Sequence, residues 1–169
     1  MKVIDSNEQE INVLNEAFGV YASKVSLANA LPFRSSGMSY ANFFHNKMLV
    51  IHTIRDGIPY SLFELIKNLA PFTENDWAEY LDVSIKTLQR NKKEKNFVFK
   101  SIHTEKIIEL AEVTQLGSQV FDSNEQFYLW LQTPSISLSR MKPFELLKDS
   151  YGKELVMSEL NKIEHAVFV

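Results

Sequence analysis

The sequence contains no cysteine. That absence removes disulfide bonds, thiolate metal sites and thiol nucleophiles together, and it fits a chain kept in a reducing compartment, the cytoplasm. Histidine is sparse: His45, His52, His103 and His165 are widely separated in sequence and no two of them have ligand spacing, so no metal and no other cofactor is expected. Long apolar runs are missing as well. The longest patch, "KMLVIHTI", falls far short of the roughly 18 to 20 residues that a bilayer span requires, and the opening "MKVIDSNEQEI" turns acidic before a secretory apolar core could form. No membrane partner is expected. Catalytic patterns are equally scarce. Glu105 and Glu109 lie four apart, which on a helix is an ordinary solvated face, and no phosphate loop or activated nucleophile accompanies them. The chain is not expected to be an enzyme.

What is present is a chain of 169 residues with 45% hydrophobic content, enough to bury the core of one or two small domains. Its net charge of −3 hides a segregation. Between Ser84 and Lys100 stand six basic residues, Lys86, Arg90, Lys92, Lys93, Lys95 and Lys100, against Glu94 alone, leaving 12 basic and 20 acidic residues elsewhere. A local cationic face in an acidic chain points to a polyanionic partner, because DNA carries about one negative charge per 1.7 Å of axis and releases counterions to such a face.

Apolar spacing predicts helices almost throughout, and no segment alternates convincingly as a strand. "EINVLNEAFGVYASKVSLANA" has helical character, and "ALPFRSSG" reads as a linker. "SYANFFHNKMLVIHTI" is expected to be helical up to Gly57, placed for a left-handed cap, and Pro59 then opens "PYSLFELIKNLA". Thr73 and Asp76 have capping-box spacing, with Phe72 and Trp77 as the accompanying staple. That helix should stop near Leu81. Ser84 then caps "IKTLQRNKKEK", with Ile85, Leu88 and Lys92 facing inward and Lys86, Thr87, Arg90 and Lys93 outward. Two helices, a three-residue turn and a basic outer face are the parts of a helix-turn-helix. Asp82 stands where its turn usually has glycine. Lys86, Thr87 and Arg90 suit base edges or groove walls, and Lys92, Lys93 and Lys95 suit phosphates; Ser84 and Asn91 complete the expected DNA-binding set. Thr104 is expected to cap a helix through Val120, "SNEQFYLWLQTP" forms a short helix ended by Pro134, and "SRMKPFELLKD" and "YGKELVMSELNKIEHAV" form two more. Leu155, Val156, Leu160 and Ile163 fall in register on the last, and Trp77, Leu81, Trp130, Leu131, Leu147 and Leu160 are expected core.

The order of motifs from Ser84 onward resembles the Xre-MbcA-ParS type of antitoxin. The resemblance is carried by "SIKTLQR" at 84–90, Val120-Phe121, Trp130-Leu131, Pro134, Leu138, Pro143, Leu146-Leu147, Gly152, Val156 and the ending "LNKIEHAV". It implies an all-α chain: a variable N-terminal extension over 1–38, a helix-turn-helix domain over 39–100 and a small helical toxin-binding domain over 101–169. It implies further a type II antitoxin that dimerises, with higher hetero-oligomers on toxin binding. Such a protein binds its own operator DNA and occludes the active site of a cognate toxin, most often a RES-domain toxin that degrades NAD. Carried onto this sequence, the toxin-binding residues are Arg140, Met141 and Lys142 ahead of Pro143, then Lys162, His165, Phe168 and Val169. Three positions depart from the pattern: Asn91 replaces a second arginine, and Arg140 and Ala166 replace glycines.

Two other readings stay open. One is a stand-alone transcription regulator whose C-terminal half dimerises or senses a ligand. The other is a purely protein-binding antitoxin whose helix-turn-helix no longer grips DNA. Pairing of two chains, expected because one helix covers only a few base pairs, is placed among the helices between residues 40 and 70.

Overall fold

The computed structural model describes residues 6–32 and 38–167. Among the described residues the protein is all-helical, with 74% of them in helices. In chain order the helices are α1 (Ser6–Ala28), α2 (Tyr40–Phe43), α3 (Lys47–Asp56), α4 (Tyr60–Leu69), α5 (Glu74–Tyr80), α6 (Ile85–Lys93), α7 (Ser101–Val120), α8 (Asn124–Gln132), α9 (Pro143–Leu146) and α10 (Ser150–Val167), with a 3₁₀ turn at Ile136–Leu138. Two compact units form: residues 1–69 with 86–108, and residues 70–85 with 109–169. Among the described residues no helix is long and apolar enough to cross a membrane.

In the first unit, α1 buries Leu14, Phe18, Ala22 and Val25 along one stripe and packs on α2, α3 and α4. The Phe18 ring lies 5.0 Å from Phe43 and 5.2 Å from Tyr40, so the N-terminal segment supplies core rather than merely preceding it. The stretch expected as one helix from Ser39 to Ile54 is broken. Asn46 accepts the Leu49 N–H in its side chain and starts α3 afresh, because an N-cap satisfies donors that a continuous helix would leave to the preceding turn. Gly57 ends α3 with φ 81 and ψ 155, a positive-φ conformation outside the expected left-handed helical region. A Cβ there would sit 2.2 Å from the carbonyl oxygen of Phe99. Beside it, Phe99 N–H donates to Ile58 and Tyr60 N–H to Phe97, around an aromatic cluster of Tyr60, Phe63, Phe97 and Phe99. Tyr21 donates a 2.6 Å hydrogen bond to the Gly57 carbonyl, and burial first, then the Asp56 charge, pushes its pKa up to about 12. Thr104 is not the expected cap. α7 begins a turn earlier at Ser101, and the buried Thr104 hydroxyl instead accepts Ile58 N–H and donates to Phe99.

The second unit is built on aromatic and branched side chains. Thr73 and Asp76 form the expected capping box, with Phe72 and Trp77 rings 5.6 Å apart. Tyr80 donates to the Phe144 carbonyl at 2.8 Å, and burial drives its pKa far above the usual phenol value. Gly117 lets the Phe127 ring approach α7, where a Cβ would meet it at 2.3 Å. Leu131, Leu147 and Leu160 are fully buried as expected, whereas Trp130 is half-buried. On α10 the inward stripe is Gly152, Val156 and Leu160; Leu155, expected inward, lies one position off it and is 53% exposed.

Candidate macromolecule-binding surfaces

The turn after α5 closes as a Schellman motif. Val83 N–H donates to Ala78 at 3.0 Å and Asp82 N–H to Glu79 at 3.2 Å, which caps two otherwise unpaired helix carbonyls. The motif requires a left-handed residue, and Asp82 supplies it with φ 51. The helix-turn-helix bend therefore forms here without glycine, on a residue whose short polar side chain tolerates that region better than most.

On α6 the inward stripe is Ile85, half-buried, Leu88 at 1% exposure and Asn91 at 8%. Spacing of three and three puts Asn91, not Lys92, beneath Leu88. Asn91 thus faces the interior, away from the exposed face that carries Lys86, Arg90 and Lys93. Lys92 points outward, and its Nζ lies 2.5 Å from Oε1 of Glu64 on α4, so its charge is locally balanced. Lys86, Arg90 and Lys93 are exposed and Thr87 half-exposed on the outer face, flanked by exposed Ser84 and Lys95. Exposed Gln89 joins them; its position three after Lys86 and four before Lys93 is the spacing signal by which it was legible. The loop holding Lys95 turns at Asn96, φ 63, and is anchored by the Phe97 carbonyl's bond to Tyr60.

In the second unit, Arg140 and Met141 are exposed and Lys142 half-exposed, just before α9. Their loop is a closed ring of backbone bonds. Arg140 N–H donates to Ser135 at 2.8 Å, Met141 N–H to Leu138 at 3.0 Å, and Ser135 N–H to Met141 at 3.1 Å. Ser139 and Arg140 both adopt positive φ, 57 and 64, which ties the local turn to a backbone conformation arginine adopts at some cost.

One side chain joins this loop to α10. Glu159 accepts from the Ser137 hydroxyl at 2.6 Å and from Lys162 at 2.7 Å, and these two bonds hold its carboxyl below the usual range, Lys162 contributing most. Glu159 thereby brings Lys162 to the loop of Arg140, Met141 and Lys142, a link with no local sequence signature. His165 is exposed, with Nδ1 donating to the Asn161 carbonyl at 2.6 Å. It shares an open groove of about 560 Å³ with Lys162, Met157 and a Lys153–Glu112 ion pair. Phe168 and Val169 lie outside the described residues. Among the described residues no cluster of potential metal ligands occurs.

Two family models match consecutive stretches of the chain. The antitoxin Xre-like helix-turn-helix domain matches residues 49–112, and the antitoxin Xre/MbcA/ParS C-terminal toxin-binding domain matches residues 116–166. Among solved structures, a chain of the crystal structure of the M. tuberculosis MbcT–MbcA toxin–antitoxin complex is similar, with 24% identity and a TM-score of 0.49 over 62% of this chain and 90% of that chain. No curated protein matches. With a helix-turn-helix domain and a toxin-binding domain recognised in that order, the chain belongs to the Xre/MbcA/ParS family of antitoxins, and its partner is a cognate toxin.

Proposed function

We propose that the chain neutralises a RES-type, NAD-degrading toxin by covering its active-site cleft, and that it represses its own operon by binding operator DNA as a cytoplasmic homodimer. The observation that carries this reading is the pairing, within one chain, of an open basic helix face and a matched toxin-binding domain. In the first, Lys86, Arg90 and Lys93 stand together on α6. In the second, Glu159 gathers the Arg140 loop and Lys162. The DNA-contacting set is Ser84, Lys86, Thr87, Gln89, Arg90, Lys93 and Lys95, with Asn91 buried on the opposite face. The toxin-contacting set is Arg140, Met141, Lys142, Lys162 and His165, continued by the tail through Phe168 and Val169. Inhibition in this reading is steric, and an interface of standard size buries about 1,200 to 2,000 Å².

Co-expression tests the first half. The toxin encoded by the neighbouring reading frame should deplete cellular NAD and arrest growth alone, and both effects should disappear when this chain is supplied. Persistent NAD loss despite a stable complex would overturn occlusion, and a toxin that leaves NAD untouched would overturn the RES assignment. A gel shift on the upstream DNA tests the second half; repression without any such shift would overturn operator binding.

A further inference from the structure

The toxin-binding unit exposes apolar side chains that its own packing does not use. Ile136 is 88% exposed, Leu155 53%, Met141 43% and Tyr151 84%. Three of them lie on the two segments that Glu159 ties together. Ile136 precedes Ser137, whose hydroxyl is bonded to the Glu159 carboxylate. Met141 is joined to Ser135 through the backbone. Leu155 lies one turn before Glu159 on α10, close enough on a helix for neighbouring Cβ atoms. Tyr151 extends the stripe by one more turn.

We propose that Ile136, Met141 and Leu155, on the loop and helix joined by Glu159, form the apolar centre of the toxin-docking surface, and that the toxin meets it with an apolar recess rimmed by acidic groups. The inference rests on the antitoxin reading above and names the chemistry of that interface. Continuity supports it: the patch lies inside the matched toxin-binding stretch and adjoins Arg140, Lys142 and Lys162. Rigidity supports it as well. The 3₁₀ turn presenting Ile136 is closed by three backbone bonds and pinned by Ser137, so little order remains to be imposed on binding. Charge selects the occupant. Arg140 and Lys142 make no salt bridge among the described residues, and Glu159 is already neutralised by Lys162. A second copy would bring this cationic rim against itself across a two-fold axis, whereas an acidic rim complements it.

The test uses the full chain and the purified toxin from the neighbouring reading frame, with binding followed by calorimetry and circular dichroism confirming the fold. Ile136→Asp and Leu155→Asp should each weaken binding by at least about ten-fold, as expected for central anchors. Ile102→Asp, equally apolar and 71% exposed on α7 in the other unit, should stay within about two-fold, as expected for exposed positions remote from such a centre. Arg140→Glu with Lys142→Glu should slow association. If the wild-type chain binds the toxin and both aspartate variants bind it equally well, the docking surface is overturned while the antitoxin reading stands. If the wild-type chain does not bind, both fall. Unchanged association by the double charge variant overturns the acidic rim.

Discussion

The hydroxyl of Ser137 donates a 2.6 Å hydrogen bond to Oε2 of Glu159, and the same carboxylate holds Lys162, so a loop and a helix 22 residues apart in sequence share one anion. A carboxylate depressed in the folded state stabilises it fully above its ordinary pKa of 4.5 and loses that contribution as pH falls through the lower folded value. The loop should therefore stay docked at neutral pH and loosen only in acid. Glu159→Gln should flatten the acid limb of a melting-temperature profile below pH 4.5 and leave Ser137 without its ionised acceptor; a profile matching wild type down to acid unfolding contradicts this.

Asp82 and Arg140 both carry left-handed backbone in turns, φ 51 and 64. Asp82→Gly and Arg140→Gly should each raise stability by about 0.5 to 1 kcal/mol, the relief of a Cβ in that region exceeding the added freedom of the unfolded chain. Urea titration reads the change as a higher midpoint at constant slope.

Gly57 responds in the opposite sense. Alanine there combines φ 81 with a Cβ 2.2 Å from the Phe99 oxygen, and it pushes on the bonds joining Ile58 to Phe99. A loss of at least about 2 kcal/mol is expected, the scale of overpacking against backbone. The drop should appear in unfolding midpoints.

The two faces of α6 separate by salt dependence. Alanine at Lys86, Arg90 and Lys93 together should reduce the slope of log K against log salt by nearly three, at about 0.9 for each phosphate no longer neutralised, while leaving the melting temperature nearly unchanged. Asn91→Ala should do the reverse, lowering stability and sparing the slope. Lys92→Ala should change both little, since an exposed pair such as Lys92–Glu64 contributes at most about 1 kcal/mol. Filter-binding isotherms across a salt series distinguish the three.

Much of this architecture is readable in sequence because local chemistry determines it. The Thr73–Asp76 box, the Ser123 cap and the Pro59 start act within three or four residues, so their spacing alone locates α5, α8 and α4. What stays hidden depends on partners far along the chain. Thr104 looks like a cap, yet its hydroxyl is engaged by Ile58, 46 residues away. Lys92 reads as inward because a spacing of four fits a helix as well as a spacing of three; only tertiary packing chooses Asn91. Of the candidate surfaces, the basic helix face is legible from charge. The apolar centre at Ile136 and Leu155 is not, since exposure of a hydrophobic residue is a property of the folded unit and leaves no mark in periodicity.

Both tryptophans of the chain, Trp77 and Trp130, belong to the second unit, the former wholly enclosed beside Phe72 and the latter packed against Phe121 and Phe127. Indole fluorescence is therefore a built-in reporter on that unit alone, blind to melting of α1 through α4. Emission and far-ultraviolet ellipticity followed in one titration would show directly whether the two units come apart together or in sequence.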